Sequence, residues 1–177
     1  FTEKGTEKKS MFSVFSTDEF SMSPAVLLHE FSHPFINPLT EKFKEAVKEY
    51  EGAYELLKQY KLPGYQSGYG DWNECVNEHF VRAMVIHLLK KCGLMDMADQ
   101  MLRNDLHLGY QYLPFILEQY QYYDENRHIY PDFESFYPRL LQVFSLDIEH
   151  DVAIREKFCR LGSMKGQKFI ADGHDIE

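Results

Sequence analysis

Three helix-start signals punctuate the first half of the chain and leave little room for a fold that is not mainly helical. Ser23-Pro24 joins a good N-cap to a proline at the first helical position, where its missing N–H would have no partner anyway. Helix is therefore expected from Ala25 to about Ile36, with Pro34 kinking or ending it. Asn37-Pro38 repeats the signal and predicts a second helix from Leu39 to about Tyr60, with Phe43, Val47, Tyr50, Tyr54 and Leu57 at helical spacing. Asp71 with Glu74 is close to a capping box and predicts a third helix, apolar nearly all round, running to Cys92 and stopped by Gly93. Shorter helices are expected at about 94–107, 110–123, 132–144 and 147–161. Only Met11–Ser16 reads as a strand.

Composition narrows the rest. A chain of 177 residues with 44% hydrophobic residues can bury one core, and no apolar run approaches the roughly 20 residues of a membrane-spanning helix, so it reads as soluble. A net charge of -9 argues against a surface that tracks nucleic-acid phosphates. Cys75, Cys92 and Cys159 lack CxxC spacing and indicate neither a disulfide framework nor a cysteine zinc site. Residues 1–22 read as a polar tail with one edge strand, 23–161 as a helical domain, and 162–177 as a C-terminal tail. The chain opens on Phe1, as a processed or truncated piece would.

The chemistry concentrates in His29-Glu30-Phe31-Ser32-His33, an HExxH pattern on the first helix. Residues i and i+4 share a helix face, so both imidazoles can reach one zinc ion, while Glu30 stands beside it and can take a proton from water. A chain of this composition yields roughly 0.03 such matches by chance. Val26, Leu27, Leu28, Phe31 and Phe35 flank the motif, so a buried helix is expected whose polar groups a metal would satisfy.

Catalytic zinc usually takes three protein ligands, and the third helix offers the missing one. Glu74, Glu78 and Arg82 recur every four residues as a polar stripe on an otherwise apolar helix. Glu78 is the preferred ligand and Glu74 the alternative, with Arg82 holding a carboxylate in place. An oxyanion or substrate contact would come from Tyr65 and Tyr69 in the glycine-rich loop, or from His79, Tyr110 or Tyr112. The remaining histidines show no ligand spacing. The tyrosines between Tyr110 and Tyr123, and Met95, Met97 and Met101, read as core.

HExxH with a downstream Glu on a second helix resembles the gluzincin arrangement of zinc metallopeptidases. The phrase Leu28-His29-Glu30-Phe31-Ser32-His33-Pro34-Phe35-Ile36-Asn37-Pro38 resembles an uncharacterised bacterial domain family of predicted metallopeptidases. Similarity extends to Glu78-x-x-Val81-Arg82-Ala83, to Tyr123-x-x-Asn126-Arg127-x-x-Tyr130 and to Phe133–Pro138, and so covers most of residues 11–145. The resemblance implies zinc held by His29, His33 and Glu78, Glu30 as general base, a peptide or protein substrate, and an exported or cell-envelope location. Zincins place a substrate-binding sheet before the HExxH helix, and residues 1–22 have room for little beyond Met11–Ser16. The expected fold is therefore mainly α, an α+β zincin-like core whose upstream sheet is reduced or missing from this chain. The expected function is zinc-dependent peptide-bond hydrolysis, with a catalytically inactive zincin-like binding or scaffold domain as the alternative.

Overall fold

A computed structural model describes residues 24–58, 70–146 and 148. The Met11–Ser16 strand, Tyr65 and Tyr69, residues 147 and 149–161 of the expected last helix and the 162–177 tail lie outside the described residues. The chain divides into two units, Phe1–Ser145 and Leu146–Glu177, and every helix described belongs to the first. The elements are α1 (Pro24–Lys42), α2 (Lys44–Lys48), α3 (Gly52–Lys58), α4 (Trp72–Lys91), α5 (Met95–His107), α6 (Leu113–Glu125) and α7 (Phe133–Leu141), followed by a 3-10 turn at Gln142–Ser145. The fold is mainly α, with no strand among the described residues.

The central element is α4, against which α1, α5 and α6 all pack. Its start follows the sequence signal: Asp71 sits in extended backbone and its side chain accepts from the Glu74 N–H at 2.9 Å. Glu74 reaches back to the Gly70 N–H at 2.7 Å, completing a reciprocal cap one residue earlier than the usual box. Cys75, Val76, Phe80, Val81, Ala83, Val85, Ile86 and Leu89 are all fully buried, so most of the helix surface is taken up by the core. It ends where Gly93 turns to φ 77°, with Gly93 N–H donating to Lys90 and Leu94 N–H to Leu89, the paired bonds of a Schellman motif.

The expected break near Ile36 does not occur. A single helix, α1, carries both Pro34 and Pro38, and the break falls instead at Phe43. Each proline removes one bond, to the carbonyls of Glu30 and Pro34 respectively, but Glu30, Pro34 and Pro38 follow one another along a side of the helix that is open to water. The opposite side holds the helix straight onto its neighbours through Ile36 and Thr40, where Thr40 bonds both Asn77 of α4 and, at 2.6 Å, Tyr137 of α7. The long second helix expected to reach Tyr60 is therefore divided into the end of α1, α2 and α3.

Nor is α1 buried all round. Val26, Phe31 and Phe35 are 48%, 45% and 63% exposed, because only one strip of α1 meets α4 while its apolar residues cover a broader arc. Between the two helices Leu28, Phe31, Ser32, Phe35, Ile36, Met84 and Leu88 line a groove of about 270 Å³.

At the other end of the core, Phe144 meets Trp72 and Tyr112 with ring centroids 5.0 Å apart in both pairs, and Tyr120 donates its hydroxyl to the Phe80 carbonyl at 2.9 Å. Tyr110, Tyr112 and Tyr120 are core residues as their pattern suggests. Met95 and Met97 are not: both are exposed, since α5 turns a different side to α4. No described helix is long and apolar enough to cross a membrane.

Candidate metal centre

His29 and His33 stand one turn apart on α1, facing α4, as the i,i+4 spacing requires. Their Nε2 atoms lie 3.2 Å apart, and Glu78 Oε1 of α4 comes within 3.8 Å of the first and 3.4 Å of the second. Among the described residues this is the one group of His, Cys, Asp or Glu atoms gathered closely enough to hold a metal ion. A tetrahedral zinc with bonds of about 2.0–2.2 Å spaces its ligand atoms about 3.3–3.6 Å apart, so the three atoms fit the triangular face of such a site. All three side chains are about a fifth to a quarter exposed, at 19%, 25% and 22%, which leaves the site open on one side.

The ring of His33 is held by Asn37, whose Oδ1 lies 3.2 Å from Nδ1. An amide oxygen can only accept, so Nδ1 carries the proton and the neutral ring keeps its lone pair on Nε2, toward the site. Sequence reading casts Asn37 as the cap of a second helix. It is instead a mid-helix residue that orients a ligand candidate.

Electrostatics divide the two histidines. Burial is the largest influence on His29 and holds its pKa below the ordinary value against the pull of Glu78. For His33 the hydrogen bond to Glu78 dominates and raises it. Burial works against the Glu78 carboxylate, but His33, His29 and Arg82 together outweigh it and keep that pKa below the usual range. Glu78 is thus an anion beside two imidazole nitrogens, a donor set suited to a divalent cation.

Arg82 explains why Glu78 offers one oxygen to the histidines. Its Nε donates to Glu78 Oε2 at 3.1 Å, one turn along α4, leaving Oε1 to face α1. The guanidinium also donates through Nη1 to Asp105 Oδ1 at 2.7 Å and lies 4.2 Å from the centre of the Tyr110 ring. Asp105 is a residue that sequence reading missed; it lies 23 positions beyond Arg82 on α5, and no local spacing connects them. A turn at Gly109, φ 103°, brings Tyr110 back beside Asp105, with the Tyr110 N–H donating to the Asp105 carbonyl at 3.0 Å as α5 ends.

Glu74, the alternative ligand, is occupied in the α4 cap and does not join the cluster. Glu30 is exposed and adjacent in sequence to His29, about 100° round the helix from it. His79, Tyr110 and Tyr112 are at most 1% exposed, and His79 packs among Tyr110, Tyr112 and Phe144, so none of the three touches a ligand bound at the surface. His87 pairs with Asp124 at 2.8 Å, away from the cluster.

No curated protein and no solved structure gives a significant match to the chain. A family model does, over residues 12–143, a span that contains α1 to α7 and every residue of the candidate centre. The chain belongs to the family described as Domain of unknown function (DUF4932).

Proposed function

We propose that this domain is a zinc-dependent peptidase of gluzincin-like design, in which His29, His33 and Glu78 hold the metal and Glu30 is the general base. The observation that carries the reading is the triangle of two Nε2 atoms and one carboxylate oxygen, 3.2, 3.4 and 3.8 Å on its sides, built around an HExxH segment. Zinc bound there would supply Lewis acidity, polarising a substrate carbonyl and acidifying water.

The chain's own residues do the rest. Asn37 fixes the His33 ring, and Arg82 holds Glu78 so that Oε1 is presented. Glu30, exposed beside the ligands, accepts the proton of the attacking water on a carboxylate oxygen and returns it to the departing amine. Peptide cleavage needs both transfers, and one carboxyl group serves for both.

The test is metal analysis of purified protein together with mixed-peptide cleavage. Zinc at one equivalent, and cleavage that Glu30→Gln abolishes while zinc is kept, is the expected result. Zinc binding with no cleavage of any peptide would overturn the hydrolase and leave a zinc-holding binding or scaffold domain. Failure to bind zinc would overturn both.

A further inference from the structure

Arg82 is gripped more firmly than the orientation of Glu78 requires. Its Nε–Glu78 bond of 3.1 Å is enough to turn that carboxylate, yet Nη1 is also drawn 2.7 Å to Asp105, and the Tyr110 ring covers the guanidinium at 4.2 Å. Asp105 is 4% exposed, and its second oxygen has no hydrogen-bond partner among the described residues. A half-satisfied buried carboxylate is an expensive way to accept one hydrogen bond, and a neutral amide of the same shape would also accept it, though more weakly. What aspartate adds over asparagine is charge.

That charge matters to the pair beside it. With Glu78 and Arg82 alone, the guanidinium offsets the carboxylate charge, and an incoming dication meets a net-neutral pair. With Asp105 included, the group Glu78, Arg82 and Asp105 carries one net negative charge, and Arg82 is tied to α5 as well as to Glu78. We infer that Asp105 is a positioning residue of the metal centre: acting through Arg82, it leaves Glu78 with the charge needed to bind a divalent cation. This rests on the metal-centre reading, and its failure can be told apart from the failure of that reading.

The experiment measures zinc affinity of the full chain by competition with a chromophoric chelator, with circular dichroism and metal-free urea unfolding on the same samples. Asp105→Asn, which keeps shape and the Arg82 hydrogen bond, is expected to weaken zinc binding about 10- to 100-fold. Arg82→Gln combined with Asp105→Asn removes both charges and is expected to bind zinc more tightly than Asp105→Asn alone. Wild-type affinity in Asp105→Asn, with or without a fall in its urea midpoint, would make Asp105 a purely structural residue while zinc binding by the parent keeps the metal centre. A double variant no tighter than the single one would reject charge balance as the cause. No zinc binding by the parent chain would overturn the metal centre and this inference with it.

Discussion

Asn37 and His79 show how single side chains are assigned by neighbours that sequence spacing does not reveal. The Asn37 amide decides which nitrogen of His33 faces Glu78. Asn37→Ala should therefore lower zinc affinity about 10-fold, read by chelator competition, and an unchanged affinity would mean that the ring is oriented by other contacts. His79 immediately follows Glu78 yet turns into the core, where burial pushes its pKa down to about 4 against the support of the Cys75 carbonyl. An unfolded chain binds this proton below about pH 6.5 and the folded one only below about pH 4. Stability from this residue is thus complete above pH 6.5 and is lost as pH falls toward 4, by roughly 2 to 3 kcal/mol. Urea unfolding of chelator-treated protein at pH 7 and pH 4.5 checks this. The drop should be smaller in His79→Leu, and an equal drop in both proteins would reject the assignment.

Among the elements, α4 was legible in the sequence almost to the residue and α1 was not. Asp71, Glu74 and Gly93 act locally, through bonds spanning three to five residues, so their pattern is sufficient to place the helix ends. The prolines of α1 are local signals too, but packing against α4 outweighed them, because Glu30, Pro34 and Pro38 lie on the side of the helix away from its buried residues Ser32, Ile36 and Thr40. The members of the cluster could all be read, His29 and His33 from helix periodicity and Glu78 from a polar stripe on an apolar helix. Asp105 could not, since its link to Arg82 exists only once α5 has folded against α4. The same physics gives two measurable outcomes. Pro38→Ala restores a backbone bond at an exposed site and should stabilise the protein, by up to about 3 kcal/mol in urea unfolding. Gly93→Ala, at φ 77° with open space around it, should destabilise by about 1 kcal/mol through backbone strain alone; no change would mean the turn relaxes.

For the molecule as a whole, the centre joins the most buried helix to one that is anchored along only part of its length. The buried residues of α1 are Ser32, Ile36 and Thr40, so the first two turns, which carry His29, precede them and meet α4 through half-buried side chains such as Leu28. A metal that binds only the folded state stabilises it by mass action, about 2.7 kcal/mol at a hundredfold excess over Kd. Zinc should accordingly raise the thermal midpoint, and chelator should lower it, whereas Glu78→Gln should respond much less to either. The partial anchoring of α1 also sets how an ion would leave. His29 lies in the first two turns of α1, which hold no buried residue before Ser32, and Pro34 leaves the Glu30 carbonyl without its helical partner, so this segment can peel from α4 with less disturbance to the centre of the fold than any later part of the helix. Zinc exchange would then be gated by opening of the first two turns of α1, and amide hydrogen exchange at residues 26–33 should slow on zinc loading while α4 amides near Phe80 and Val81 stay protected throughout.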